Sequence, residues 1–255
     1  MRFVSLGSGS SGNGLLVEAK RTRLLLDCGF GLRDTVKRLA RTGLAPEDLT
    51  GILVTHEHAD HVGGVVSFAC KYKLPVWLTH GTLSAIKPQS ARLPAIHLVD
   101  SHARFAVGDL EIEPFPVPHD AREPVQYVFG DGARRLGVLT DTGHITSHIE
   151  NSLSGCDALV LECNHDRAML MKGPYPPGLK QRVAGRFGHL DNDAAAGLLS
   201  AIDRSRLQHV IAAHLSEQNN TPWLAQQALS SALNCAMEWV GIADQEQGFD
   251  WRQIA

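Results

Sequence analysis

Four residues of the types that bind metal ions lie close together in the segment VTHEHADHVGG. His56, His58, Asp60 and His61 form the pattern H-x-H-x-D-H just after the apolar run GILV. Imidazole and carboxylate groups are ligands suited to zinc, manganese or iron(II). In an extended segment, histidines two positions apart point the same way, and a turn into a following helix directs Asp60 and His61 to a second position. This spacing predicts metal binding rather than a histidine-rich surface loop.

Four residues cannot complete two metal sites, so the rest of the chain must supply further ligands. Three candidates end apolar runs: His119 ends IEPFPVPH, Asp141 ends RLGVLTD and His214 ends HVIAAH. If each run is a strand, its end delivers one side chain to a common edge of the sheets. The sequence therefore predicts a metal centre assembled at one sheet edge from distant parts of the chain.

The elements that must position these ligands alternate between helices and strands. Helical patterns cover residues 32–43, 59–73, 81–87, 145–153, 191–204 and 221–240. Strand patterns cover residues 49–55, 74–79, 95–100, 103–108, 110–117, 158–163 and 208–214, with a hairpin over 125–141 at the turn pair Asp131-Gly132. Such interleaving predicts an α/β domain of sheet layers covered by helices, which we expect to span residues 1–255 as a single unit.

A different reading comes from the opening segment LGSGSSGNGLLVEA, where Gly7, Gly9 and Gly12 spell G-x-G-x-x-G. A dinucleotide-binding fingerprint requires a helix directly after the last glycine. Here the chain continues with two short apolar runs, residues 15–17 and 24–26, separated by the polar turn EAKRTR. That pattern predicts a β-hairpin, so we expect the glycines to form a loop between strands.

Composition limits the classes of function. The 255 residues carry a formal net charge of −3, so binding of nucleic acid would need a local basic patch. The sequence has no apolar run of about 18 residues, which a membrane span requires, and no N-terminal signal pattern. The five cysteines include no C-x-x-C spacing, which predicts reduced thiols in a cytoplasmic protein.

The pattern H-x-H-x-D-H, followed by a lone histidine, an aspartate at a strand end and a final histidine at a strand end, resembles the metallo-β-lactamase superfamily. The resemblance covers nearly the whole chain and implies a four-layer αββα sandwich with a dinuclear site at one edge of its two sheets. It also implies the ligands of each ion. One ion is held by His56, His58 and His119, the other by Asp60, His61 and His214, and Asp141 bridges them.

The resemblance carries further implications for the metal chemistry. Asp27, in LLLDCG, matches an acid that supports the metal site. The cofactor is a pair of divalent ions, Zn²⁺ or Mn²⁺, since His and Asp ligands bind both. Two ions about 3.5–4 Å apart activate a bridging hydroxide and hold a substrate oxygen. The same machinery hydrolyses lactones, thioesters and phosphodiesters, so other residues must select the substrate.

Those residues are expected between Asp141 and His214. Glu162 ends the run LVLE, and His189 lies in GHL just before a helical pattern. This arrangement is similar to the tRNA-processing endonucleases of the superfamily, which implies that His189 protonates the leaving oxygen or stabilises charge. We therefore predict three catalytic groups, with Glu162 orienting His189, and with Asp60 counted as both ligand and catalytic group.

The segment MKGPYPPGLKQRVAGRFGH contains Lys172, Lys180, Arg182 and Arg186 and no acid. Its cations would attract a phosphate backbone, and the rings of Tyr175 and Phe187 would allow bases to stack. A solvated helix face explains the same charges. The segment therefore supports a nucleic-acid substrate without proving one.

The loop GSGSSGNG, together with ECNHD, GPYPPGLK, GHL and HLSEQNN, resembles the short bacterial YycJ/WalJ branch of the superfamily. That resemblance implies a single-domain nuclease with 5'-to-3' exonuclease activity on DNA. We predict that substrate is bound by Ser11, Asn13, His165 and Lys180. The chain departs from the branch at Asp191, where serine is expected, so an extra negative charge lies near the site.

Two other functions remain open from the residues alone. A small-molecule hydrolase acting on a lactone, thioester or cyclic nucleotide would use the same ligands but leave His189 and the basic segment without a role. A regulatory protein would keep the metals for structure, although structural zinc sites usually close with four ligands. We favour a dinuclear metal-dependent phosphodiesterase whose substrate is DNA, in single-stranded or end-bearing form.

Overall fold

Two seven-stranded sheets face each other in the computed structural model, which describes residues 1–86 and 90–255. The first sheet has the order β14-β1-β2-β3-β4-β5-β6. Its strands are β1 (Arg2–Gly7), β2 (Gly14–Ala19), β3 (Thr22–Leu26), β4 (Gly51–Leu53), β5 (Val76–Thr79), β6 (Ile96–Val99) and β14 (Phe249–Gln253). The second has the order β13-β12-β11-β10-β9-β8-β7. Its strands are β7 (Phe105–Val107), β8 (Leu110–Pro116), β9 (Val125–Gly130), β10 (Arg135–Leu139), β11 (Ala158–Glu162), β12 (His209–Ala213) and β13 (Val240–Ile242).

Helices cover the outer faces of both sheets. The α-helices are α1 (Leu32–Arg41), α2 (Ala59–Val62), α3 (Val65–Tyr72), α4 (His80–Ala85), α5 (Ser147–Leu153), α6 (Arg167–Lys172), α7 (Pro177–Val183), α8 (Asn192–Ala201) and α9 (Pro222–Leu233). Lys87, the last residue of one predicted helix, lies outside the described residues. The predicted αββα sandwich is confirmed by this layering. No helix within the described ranges is both long and apolar enough to cross a membrane.

Three apolar clusters hold the layers together. The central cluster lies between the sheets and includes Phe3 and Leu24 from the first sheet and Tyr127 and Phe129 from the second. One outer cluster joins the second sheet to α5, α8 and α9, and the other joins the first sheet to α1 and α3. Sheets that are buried on both faces require nearly continuous apolar strands, and this explains runs such as LLL in β3 and ALVL in β11.

Strand direction brings the predicted ligands to one edge. Strands β10, β11 and β12 run parallel, and β8 and β10 also run the same way because each is antiparallel to β9. Strands β3 and β4 are parallel in the other sheet. Within each sheet, the carboxyl ends of these strands therefore lie at the same edge. The predicted ligands lie in the chain segments that follow those ends.

The structure corrects several element predictions. The predicted helix over 221–240 ends at Leu233, where Asn234 takes a left-handed conformation with φ of 53°, and a short 3₁₀ helix and β13 follow. The predicted helix over 59–73 is broken between α2 and α3, where Gly64 packs so closely that a Cβ would lie 1.9 Å from the carbonyl oxygen of Phe30. Helices α6 and α7 and strand β14 were not predicted. Helical periodicity alone did not locate these boundaries, because packing against distant segments sets them.

The opening loop has the conformation expected of a connection between strands. Gly7, Gly9 and Gly12 have φ of 153°, 152° and 154°, and β2 rather than a helix follows them. Strand β2 pairs with β3 in antiparallel register. The predicted hairpin is therefore confirmed, and the dinucleotide fingerprint is excluded because no helix N-terminus lies after the glycines.

Candidate metal centre

Three histidines converge on one potential metal position. His56, His58 and His119 offer ring nitrogens that all lie within 4.8 Å of one another. His119 Nδ1 donates to the carbonyl oxygen of Gly188 at 2.9 Å, which leaves its Nε2 free to bind an ion, 3.2 Å from His58 Nδ1. His56 Nε2 is buried without a hydrogen-bond partner within the described residues. A buried polar atom left unpaired in this way is unfavourable, and a cation would satisfy it.

A second position is formed by Asp60, His61 and His214. Asp60 Oδ2 lies 3.4 Å from His61 Nε2 and 3.3 Å from His214 Nε2. His61 follows within α2, the short helix that begins after the H-x-H segment, while His214 follows β12. The turn into a helix thus brings Asp60 and His61 beside His214, apart from the group of His56, His58 and His119.

Asp141 lies between the two positions. Its Oδ2 is 2.8 Å from His61 Nε2, its Oδ1 is 3.5 Å from His214 Nε2, and it also forms a group with His56 and His61. Asp141 Oδ2 makes no hydrogen bond of favourable geometry within the described part of the chain. A carboxylate that reaches residues of both triplets is suited to bridging two ions.

Asp27 and Thr55 hold the histidines in position. Asp27 Oδ2 accepts from His61 Nδ1 at 2.8 Å, so that His61 presents Nε2 to the centre. The main-chain N–H of Thr55 donates to Asp27 Oδ1 at 2.9 Å and its hydroxyl to Asp27 Oδ2 at 2.9 Å, while the same hydroxyl lies 3.0 Å from His56 Nδ1. Partners of this kind fix ring orientation. The sequence analysis did not identify Thr55 as a residue that positions the histidines. Its place between GILV and the H-x-H segment could have indicated this role.

Three residues of the centre have left-handed backbone conformations. Asp27, Asp141 and His214 have φ of 58°, 52° and 54°. Non-glycine residues avoid this region, and such strain is often found at functional sites. Each lies within two residues of the end of its strand, so the turn comes immediately and the side chain stays at the sheet edge.

The protonation states of His56 and Asp141 suit metal binding. Burial, together with repulsion from His61, lowers the pKa of His56 well below its ordinary value. Burial acts to raise the pKa of Asp141, but attraction to His214 and His61 and the close contacts with His189 and His61 outweigh it and hold that pKa well below the usual range. Neutral imidazole and ionised carboxylate are the forms that bind metals. Burial acts to lower the pKa of His61 and of His214, but neighbouring carboxylates raise both, so these two rings must lose a proton when an ion binds. The donor set therefore fits divalent cations.

A sixth histidine borders the centre without belonging to either triplet. His189 Nδ1 lies 2.8 Å from Glu162 Oε1 and 3.2 Å from Asp141 Oδ1. Burial acts to lower the pKa of His189, but the hydrogen bonds to Asp141 and Glu162 raise it to about 11. Glu162 is fully buried and its Oε2 accepts from the main-chain N–H groups of Thr142 and Leu190. Glu162 thus contacts His189 at Nδ1, and Nε2 of His189 is not part of this contact.

The predicted substrate-binding residues of the opening loop differ in exposure. Asn13 is 6% exposed, and its side-chain amide contacts Asp60 Oδ2 at 3.3 Å and the Asp60 carbonyl oxygen at 3.3 Å. Its Oδ1 accepts from Ser8 Oγ and the Gly9 N–H. Asn13 therefore positions Asp60, and its polar atoms are already paired. Ser11 is exposed at the loop tip, where its main-chain N–H donates to Gln245 Oε1.

The other two predicted substrate-binding residues already have defined surroundings. Lys180 Nζ donates to the Met171 carbonyl oxygen at 2.7 Å, which ties α7 to α6. His165 is 1% exposed, and it lines a cavity together with Asp191 rather than the open edge of the site. Nearby, Arg182 pairs with Asp120 at 2.7 Å, and this acid, although outside the basic segment, partly neutralises it.

The additional acid at position 191 is also neutralised. Arg167 Nε and Nη2 both lie 2.7 Å from Asp191 Oδ2, and Asp191 Oδ1 accepts from the Ala194 N–H to cap α8. The departure noted in the sequence therefore adds a compensated ion pair rather than a free negative charge.

Metal binding is expected to stabilise the fold, because the ions would join ligands from four separate segments of the chain. At a concentration 100 times Kd, a ligand adds about 2.7 kcal/mol, and each kcal/mol raises Tm by about 2–4 °C in a domain of this size. We therefore expect Mn²⁺ or Zn²⁺ to raise the Tm of chelator-treated protein by about 5–10 °C. Differential scanning fluorimetry measures this shift. An unchanged Tm with both ions would exclude binding at this centre.

Comparisons with known proteins identify the family to which the chain is similar. A family model described as Beta-lactamase superfamily domain matches residues 22–214. The chain is 37% identical over 239 residues to exodeoxyribonuclease YycJ of Bacillus anthracis, covering 91% of this chain and 89% of that protein. It is 33% identical over 246 residues to exodeoxyribonuclease WalJ of Streptococcus pneumoniae, covering 94% of this chain and 91% of that protein.

Among solved structures, the metallo-β-lactamase fold protein YhfI of Bacillus subtilis superposes with a TM-score of 0.76. The two chains are 15% identical, and the superposition covers 98% of each. At this identity the likeness concerns the fold, and it matches the four-layer architecture described above.

Proposed function

The chain belongs to the β-lactamase superfamily, and we propose that within this family it is a metal-dependent phosphodiesterase that degrades DNA from the 5' end. Two relatives that match almost their full length are named exodeoxyribonucleases. The observation that carries the proposal is His189, held at 2.8 Å by Glu162 beside the metal ligands. A phosphodiester needs a proton on its leaving oxygen, and His189 would give it.

We assign the metal ligands as the sequence implied, with His56, His58 and His119 for one ion, Asp60, His61 and His214 for the other, and Asp141 as the bridge. The ions would be Zn²⁺ or Mn²⁺, because nitrogen and carboxylate donors bind both. When bound, they would activate water and neutralise charge on the phosphate. The whole of residues 1–255 would form one catalytic unit, since β14 pairs with β1 and both pack on the shared core.

The chain's own residues would carry the protons. An oxygen–phosphorus bond forms from water while the bond from phosphorus to the 3'-oxygen breaks. His189 donates its proton to that leaving oxygen, and general acid catalysis of this kind gives about 10²–10⁴-fold. Asp60 directs Oδ2 to His61 and His214, so its other oxygen is left to accept the proton that water releases. Exposed Ser11 is suited to contact phosphate, while Asn13 would act through Asp60.

End-labelled single-stranded DNA tests the proposal. Oligonucleotides carrying a 5'-phosphate or a 5'-hydroxyl are incubated with Mn²⁺ or Zn²⁺, and products are resolved by length. We expect metal-dependent shortening from the 5' end. Intact oligonucleotide with every ion, from protein shown to hold two ions, would reject the nuclease and favour a hydrolase of small esters or thioesters.

A further inference from the structure

A cavity of about 290 Å³ adjoins the segment that carries His189. It is lined by His165, Arg167, Leu170, Met171, Ala184 and Asp191. This volume is close to the lower end of the range of small-ligand pockets, about 300–1,000 Å³. None of the roles assigned above uses this cavity.

The cavity adjoins the chain just beyond His189, because Asp191 in its wall lies two residues further along. Leu190 is 1% exposed and packs in the core, and side chains alternate along an extended segment. His189 and Asp191 therefore share the opposite side. The segment after Glu162 forms another wall of the cavity and pairs with the segment after His189. Asn164 N–H donates to the Leu190 carbonyl oxygen at 2.9 Å, and His165 and Asp191 form a parallel β-bridge. The same two segments thus hold the catalytic pair and wall the cavity.

The charges of the cavity cancel. Arg167 binds Asp191 Oδ2 through two nitrogens, each at 2.7 Å. Burial lowers the pKa of His165, although Asp191 and Glu162 oppose this shift, so its ring is neutral at neutral pH. A phosphate seat requires uncompensated cations. This cavity is therefore unsuited to an anion and suited to a neutral group.

The lining matches a planar group with a polar edge. Leu170, Met171 and Ala184 provide apolar surface, and the planar guanidinium of Arg167 stacks well on flat rings. His165 Nδ1 is buried without a hydrogen-bond partner within residues 1–86 and 90–255. A buried nitrogen of this kind calls for a ligand that supplies the missing bond. A nucleobase has both the flat apolar face and the polar edge.

We propose that this cavity seats the base of the nucleotide that departs with the 3'-oxygen, which in 5'-to-3' digestion is the 5'-terminal nucleotide. The inference rests on the proposed function, because it takes His189 as the donor to that oxygen. Hydrolysis breaks the phosphorus–oxygen bond beside His189, so the departing nucleotide lies on the His189 side of the metal centre. The cavity is there to receive its base.

Terminal abasic substrates test the inference directly. Two oligonucleotides are compared, identical except that the 5'-terminal residue carries thymine or lacks a base. We expect the first cleavage of the abasic strand to be about tenfold slower in kcat/KM, since stacking of one base has an effect of this order. In Ala184→Leu, whose added side chain fills the cavity, this tenfold preference for thymine should disappear.

Ala184 is exposed at the end of α7, so the longer side chain is compatible with folding, and the wild-type comparison does not depend on the variant. Ala201→Leu places the same change at the exposed end of α8 and should keep the preference. Equal rates on both strands with wild-type protein would overturn the inference. So would a preference for 5'-phosphate over 5'-hydroxyl that Arg167→Gln abolishes, since this would indicate a phosphate seat.

Bis(p-nitrophenyl) phosphate, a diester without a nucleobase, separates the two proposals. Hydrolysis of this diester and of DNA with no effect of the terminal base would overturn the base cavity alone. Hydrolysis of neither would overturn the proposed function, and the base cavity with it.

Discussion

Asp141→Asn is expected to lower DNA hydrolysis by at least about 10³-fold while the protein stays folded. Metal ions contribute several kcal/mol to stabilising the transition state, and each 1.36 kcal/mol is tenfold in rate. Removing the bridging charge should displace at least one ion. Asparagine keeps the side-chain shape and tolerates the left-handed φ of 52° at this position, so the effect should come from charge rather than from the backbone.

Three measurements on the same sample test this prediction: metal content by mass spectrometry, DNA hydrolysis, and Tm without added metal. Asp193→Asn is the matched control, because Asp193 is exposed in the first turn of α8 and the chemical change is identical. A purely structural metal centre predicts instead that Asp141→Asn unfolds. Full activity with one ion lost would show that Asp141 does not bridge two required ions.

His189→Gln is expected to reduce kcat on DNA by about 10²–10⁴-fold, the usual contribution of a positioned general acid, with both ions retained. The reason is geometric: Glu162 holds Nδ1 at 2.8 Å, which leaves Nε2 for the leaving oxygen. The loss should be much smaller on bis(p-nitrophenyl) phosphate, because p-nitrophenolate leaves without a proton.

A purely structural role of His189 would lower kcat equally on DNA and on bis(p-nitrophenyl) phosphate, so the difference between the two losses identifies the acid. His102→Gln provides the control, since His102 is exposed in a turn far along the chain. Equal losses on both substrates would mean that His189 does not act as the acid. Loss of an ion in His189→Gln would instead make His189 a ligand, in line with its place among the residues around Asp141, Glu162 and His214.

Local sequence was sufficient for the metal ligands. The H-x-H-x-D-H pattern is contiguous, so the chain from strand β4 into helix α2 brings its residues close together. His119, Asp141 and His214 were found because each follows an apolar run, and the carboxyl ends of strands that run the same way meet at one edge. Both features depend on neighbouring residues and on the order of strands along the chain, and both can be read from the sequence.

Contacts between distant segments determined the rest. Thr55 joins Asp27, 28 residues away in the chain, and Arg167 reaches Asp191 across 24 residues. Asn13 was read from sequence as a contact to substrate, yet the structure pairs its amide with Asp60, 47 residues away. Such hydrogen-bond partners depend on where the packed layers bring two loops together. The periodicity of the sequence contains no information about these contacts.

The sequence by itself therefore predicted sheet layers covered by helices, the candidate donors and one common edge for them, whereas the four-layer αββα order followed from the family resemblance. Only the tertiary structure decided that the charge of Asp191 is cancelled by Arg167, that His165 is buried with an unpaired nitrogen, and that a neutral cavity opens beside His189. The physical reason is that ligand types and strand ends are local features. Burial and charge compensation arise only when α6, α7 and the segment before α8 pack against one another.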